Sequence, residues 1–188
     1  MTLRLVAEDG MTLATHPDLW LPARGKLWVA DRNFFLNPGS SIIQGYVEIA
    51  SDGPALSGSL VLSDSDQTVF SSALPLVWTL HSSILFGQIA SDETYFTGIA
   101  MLNPGENAVS TLMEVFDPAG MRLASTRETI PAGGRRSRLL TEFFPAIRGE
   151  THRAGYVRLS ADRGVAGFAL FGRQDLSSLS AILPQAIP

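Results

Sequence analysis

The sequence predicts an all-β protein: one complete β-sandwich unit of about 100 residues, preceded by most of a second copy of the same unit. Three observations carry that prediction. Apolar and polar residues alternate with period two in several runs, and no long stretch keeps a 3.6-residue apolar period. Turn signals punctuate the chain at short intervals. The chain also resembles itself when shifted by about 109 positions.

The alternation is plain in Leu56, Gly58, Leu60 and Leu62, which interleave with Ser57, Ser59, Val61 and Ser63. Val47 and Ile49 alternate with Tyr46 and Glu48, and Val157 and Leu159 with Tyr156 and Arg158. Met113 and Val115 take one face of a further strand, while Leu112, Glu114 and Phe116 take the other. Val165 to Phe171 is almost continuously apolar and reads as a central strand. Helix is confined to a single turn at Leu139 to Phe144 and to its repeat partner near Asp31 to Leu36.

The turns are Glu8-Asp9-Gly10, Asn37-Pro38-Gly39, Ser51-Asp52-Gly53-Pro54, Asn103-Pro104-Gly105, Asp117-Pro118-Ala119-Gly120 and Ala132-Gly133-Gly134. Their residues supply positive φ, a fixed φ or a side chain that bonds its own backbone. The 17 Gly and 11 Pro suit a fold with many such turns.

The internal repeat places Met11, Leu13 and Ala14 on Met121, Leu123 and Ala124. Pro22, Ala23 and Gly25 fall on Pro131, Ala132 and Gly134, and Phe34-Phe35 on Phe143-Phe144. Gly45, Tyr46 and Val47 fall on Gly155, Tyr156 and Val157. Asp52 meets Asp162, Gly58 meets Gly167, Ala73 meets Ala181 and Pro75 meets Pro184. A competing register sets Asn37-Pro38-Gly39 on Asn103-Pro104-Gly105, which reads as shared turn chemistry. The expected domains are an incomplete repeat over 1–80 and a complete one over 81–188. On this alignment the first copy lacks a counterpart of Phe86 to Val109, about two strands of chain. Upstream sequence, another chain or the segment Leu74 to Ile89 would have to complete it.

Charge and composition narrow the function classes. The net charge of −4 gives no concentrated basic surface, so nucleic acid is not an expected partner. The chain has no cysteine, which excludes disulfides, thiolate metal sites and cysteine nucleophiles. Met1 to Gly10 does not have the pattern of a signal peptide, so an exported protein would carry that signal on further sequence. Ala73 to Ala90, the most apolar long stretch, is interrupted by His81, Ser82, Ser83, Gly87 and Gln88 and falls short of a membrane span.

A family resemblance rests on Phe96-Thr97-Gly98-Ile99-Ala100, Asn103-Pro104-Gly105, Phe116-Asp117-Pro118-Ala119-Gly120, Ile130-Pro131-Ala132-Gly133-Gly134, Phe143-Phe144-Pro145, Gly155-Tyr156-Val157-Arg158 and Gly167-Phe168-Ala169-Leu170-Phe171-Gly172. Together these motifs resemble an immunoglobulin-like β-sandwich repeat of bacterial secreted and cell-surface proteins. The resemblance covers the second copy, and the first departs from it by its absent opening strands. It implies tandem immunoglobulin-like units that act as spacers, adhesion modules or assembly subunits outside the cell.

Candidate sites each have a plain alternative. His16, His81 and His152 are far apart in no metal spacing, and His16 and His152 read as surface loop residues. Ser57-Gly58-Ser59 lies in an alternating strand and is not a nucleophile elbow. Asp64 and Asp66 offer oxygen ligands to calcium, without the spacing of an EF-hand. Arg135, Arg136 and Arg138 are candidates for an anionic partner, and read otherwise as the charged flank of a hairpin. Trp20 is expected in the core, whereas Trp28 and Trp78 are candidates for an interface or for stacking on a sugar.

No acid, base, nucleophile or metal set converges, so the expectation is a non-enzymatic protein without cofactors. Its expected role is structural: an assembly module of the bacterial cell exterior, joined to another copy of itself or to a neighbouring chain through an open sheet edge. The alternative is a carbohydrate-binding or adhesion module that meets a surface glycan through exposed aromatics.

Overall fold

Short apolar alternations closed by Gly-containing turns make antiparallel hairpins, and a computed structural model of the chain is built from them. It describes residues 1–29, 34–35, 45–63 and 69–187. Every strand pair is antiparallel. The chain divides into two compact units, Met1–Ser57 and Gly58–Pro188. Gly58 to Leu80, assigned above to the first copy, belongs with the second unit.

The first unit holds a three-stranded sheet of β1 (Thr2–Ala7), β2 (Thr12–His16) and β3 (Gly45–Ala50), in the order β2-β1-β3. Leu3 and Val6 are its buried apolar residues among those described. Gly10, with φ at +91°, closes the β1–β2 turn, and Ala7 N–H donates to Met11 O at 2.8 Å.

The second unit opens with the hairpin β4 (Ser59–Ser63) and β5 (Ser71–Pro75). There follow β6 (His81–Ser91), β7 (Tyr95–Leu102), β8 (Val109–Phe116), β9 (Arg122–Ile130) and β10 (Arg135–Leu139). A helical turn α1 (Leu140–Phe143) and a 3-10 turn (Pro145–Ile147) lead into β11 (His152–Arg173), and β12 (Leu179–Ile182) and β13 (Gln185–Ala186) end the chain.

The 22-residue β11 organises this unit. Its first half pairs with β6 and β8, and its second half with β7 and β12. It thereby carries the chain from one sheet into the other. The core between them draws Ile84, Phe86 and Ile89 from β6, Ile99 and Met101 from β7, and Met113 and Val115 from β8. Val157 and Leu159 of β11 and Phe143 and Phe144 of the helical turn complete it. The expected single helical turn and the central strand at Val165 to Phe171 are both present. The first-copy helix and the Asn37-Pro38-Gly39 turn lie outside the described residues, save Phe34 and Phe35.

One turn holds more than the sequence revealed. Asn103 is buried, at 1% exposure. Its amide nitrogen donates to Asn107 O, Ile130 O and Pro131 O at 2.8, 3.2 and 2.9 Å, and its oxygen accepts from Gly105 N–H at 3.0 Å. Asn103→Ala strands several backbone groups away from water, at about 1–3 kcal/mol for a buried unsatisfied group. Urea unfolding is expected to show a loss of about 2–3 kcal/mol, with Asn103→Asp no better because a carboxylate cannot donate.

Candidate binding surface

The hairpin pairs of the two halves share one register. In the first unit Leu5 faces Ala14, a bulge follows, and Val6 faces Thr12. In the second, Val115 faces Ala124, a bulge follows, and Phe116 faces Arg122. On the other side of the hairpin Leu5 faces Val47 and Val6 faces Tyr46, as Val115 faces Val157 and Phe116 faces Tyr156. The turn bonds recur too: Gly25 N–H to Pro22 O at 2.8 Å, and Gly134 N–H to Pro131 O at 3.0 Å. A charge pair is inverted, with Arg4 opposite Glu48 where Glu114 stands opposite Arg158. The β4–β5 hairpin sets Val61 opposite Ala73, as Leu170 is opposite Ala181. The sequence alignment had set Ala14 on Ala124, Tyr46 on Tyr156, Val47 on Val157 and Ala73 on Ala181; the strand pairing extends that correspondence to Leu5 with Val115 and Val61 with Leu170.

What differs is what lies beyond. In the second unit β11 has β6 on its far side, and β7 joins the opposing sheet. Among the described residues of the first unit, β3 ends the sheet order and no strand pair stands where β6 and β7 would. Burial follows. Val115, Val157 and Leu159 are fully buried. Leu5, Val47 and Ile49, their register counterparts, are half-buried. Phe34 and Phe35 are half-buried where Phe143 and Phe144 are buried.

Trp20 is 81% exposed, against the expected place in the core. Trp20 precedes the Pro22 turn beyond the end of β2, and no described strand of the first unit includes it. Trp28 and Trp78 are exposed as well, at 77% and 60%. Met11 and Leu13 add further apolar surface. Met11, Leu13, Trp20 and Trp28 belong to the first unit and Trp78 to the second.

The three arginines are engaged within their own unit. Arg135 lies over the Phe168 ring and donates to Ser137 Oγ at 3.1 Å, and Arg136 donates to Arg135 O at 3.1 Å. Arg138 pairs with Glu128 at 3.1 Å and lies over Phe143. Two histidines sit differently from the surface loops expected. His16 ends β2, stacks on Phe34 with centroids 4.1 Å apart and bonds Phe34 O through Nε2. His152 begins β11 and its side chain is 11% exposed. Asp64 and Asp66 lie outside the described residues. No group of three potential metal-ligating side chains gathers among those described, and no helix is long and apolar enough to cross a membrane.

A network that the sequence did not signal ties the β6–β7 turn to β11. Asp92 accepts from Thr94 N–H at 2.7 Å, Tyr95 N–H at 2.8 Å and Arg153 Nε at 2.6 Å. Tyr95 stacks on Phe171, with Arg153 and Arg173 at 5.7 and 5.8 Å from its ring. The Arg153 bond, then the two backbone N–H groups, hold the Asp92 carboxyl below its ordinary range. A carboxyl whose pKa is lower folded than unfolded stabilises the fold above its unfolded value and loses that contribution as pH falls through the folded one. The urea midpoint of the second unit is therefore expected to fall with acidification below about pH 4. Asp92→Asn is expected to flatten that fall, in midpoints measured from pH 7 to 2.5.

Comparison with protein-family models, curated proteins and solved structures found no match for this chain.

Proposed function

We propose that this chain is a non-enzymatic structural module of the bacterial cell exterior, built from tandem immunoglobulin-like sandwiches, that assembles by strand addition at sheet edges. One observation supports the reading above others. The β2-β1-β3 sheet repeats the register of β9-β8-β11, while Leu5, Val47 and Ile49 are less covered than Val115, Val157 and Leu159 and β3 ends the sheet order among the described residues. An edge strand beside an incompletely covered apolar face recruits another strand, because main-chain hydrogen bonds and side-chain burial then form together. The abundant Gly and Pro suit a β-sandwich repeat with many turns. Light scattering across a hundredfold range of protein concentration is the test. A mass rising above that of one 20.2 kDa chain is expected; a monomer at every concentration overturns the reading.

The exposure of Trp20, Trp28 and Trp78 favours a second reading, in which indole faces stack on sugars of a surface glycan. Under it, Trp28→Ala and Trp78→Ala each lower glycan-array binding about tenfold, with urea stability unchanged. Silence of the parent protein on a broad array removes this reading.

A further inference from the structure

We propose that Asp52 is a site of spontaneous backbone modification, where Asp52-Gly53 closes to a succinimide and reopens as isoaspartate. The chain's other Asp-Gly sequence, Asp9-Gly10, is held back from the same reaction by its turn.

The chemistry needs only the two residues and water. Glycine puts no Cβ beside the attacking nitrogen and leaves the backbone free to carry that nitrogen towards the carboxyl group. The Gly53 nitrogen bonds to Asp52 Cγ and gives up its proton, and one carboxyl oxygen leaves as water. A second water then opens the five-membered imide. Attack at Cγ breaks the new C–N bond and restores aspartate. Attack at the main-chain carbonyl carbon of Asp52 breaks the original peptide C–N bond. The chain then runs through Cγ and is one methylene longer, with the α-carboxylate as its side group.

Ring closure requires a carboxyl group free to turn and a nitrogen free to approach it. Asp9-Gly10 meets neither condition. Asp9 Oδ1 accepts from Met11 N–H at 2.9 Å, and Gly10 N–H donates to Ala7 O at 3.1 Å. With Ala7 N–H donating to Met11 O, these bonds close the turn between β1 and β2. Moving the Gly10 nitrogen onto the Asp9 carboxyl would open the hairpin.

Asp52-Gly53 meets both conditions. It lies beyond the last β1–β3 pair, Thr2 with Ala50, so its rearrangement costs no ladder bond. The Asp52 side chain is fully exposed, and among the described residues its carboxylate meets only the Met1 ammonium, at 4.0 Å, where water screens the pair. Gly53 N–H donates to Ser51 Oγ at 3.2 Å, an exposed bond that rotation of one serine side chain breaks. Residues 51–55 are exposed throughout, the setting in which backbone rearranges most freely.

The experiment incubates the full chain in oxygen-18 water below its thermal transition, followed by peptide mapping and by methyl transfer from a protein isoaspartate methyltransferase. Imide hydrolysis leaves oxygen-18 at Asp52 whichever way the ring opens, and only isoaspartate accepts the methyl group. Both signals are expected at least tenfold higher in the Asp52 peptide than in the Asp9 peptide. In urea the two peptides should label at similar rates. Gly53→Ala fits the fold, since its Cβ would meet only Ser51 Oγ at 3.8 Å. It should lower labelling at Asp52 at least tenfold. An Asp52 peptide without label, or equal labelling of both peptides in the folded chain, overturns the proposal. Labelling at Asp52 that persists in Gly53→Ala overturns the ring closure. An Asp9 peptide still unlabelled after unfolding overturns the protection assigned to its turn.

Discussion

Phe86→Ala is expected to lower the stability of the Gly58–Pro188 unit by about 3–5 kcal/mol. Phe86 has no exposed surface, and it sits on β6 between Ile84 and Ile89 in the core cluster. The ring spans the space between the two sheets: a Cβ at Gly167, on the second half of β11, would lie 3.2 Å from Phe86 Cζ. Truncation removes the transfer free energy of the ring and leaves a cavity that two hydrogen-bonded sheets are poorly placed to close. A loss of this size is a large share of the 5–15 kcal/mol typical of a domain. Urea unfolding followed by far-ultraviolet circular dichroism measures it. A loss below about 1 kcal/mol would mean that the two sheets do not meet across this ring.

Gly155→Val is expected to cost the same unit about 3 kcal/mol or more. Gly155 lies in β11 where that strand adjoins both β6 and β8, so neither neighbour can retreat without loss of ladder bonds. Its new side chain would meet a backbone carbonyl, that of Phe116, and a core side chain, Ile89. Backbone does not rotate away as a flexible side chain does. The matching change, Gly45→Val, meets Val6 O in the first unit. It is expected to disturb that unit, read by limited proteolysis within Met1–Ser57, and to leave the Asp92-dependent acid transition of the second unit in place. Equal damage from both variants to both transitions would show that the units do not unfold separately.

The fold class was legible because the patterns behind it are local. Val47 and Ile49 alternate with polar neighbours, and Asp117-Pro118-Ala119-Gly120 makes its turn from its own backbone preferences. The register equivalence was also legible. Gly45 and Gly155 recur because both meet a carbonyl of the adjacent strand, and that requirement is written at one position. The surface was less so. An exposed Trp20 and a core Trp20 have the same letter, and the difference lies in what the folded chain packs against the ring. The Asp92–Arg153 pair joins residues 61 positions apart, and no local pattern announces it.

The sequence by itself determined that this protein is made of strands, where many of them turn, and which residues of its two related halves correspond. Period-two burial and turn chemistry act over a few residues, so the order of letters contains them. Only the tertiary structure decided which of those faces are covered. Burial of Val157 depends on β6 and β8, brought up beside it from elsewhere in the chain.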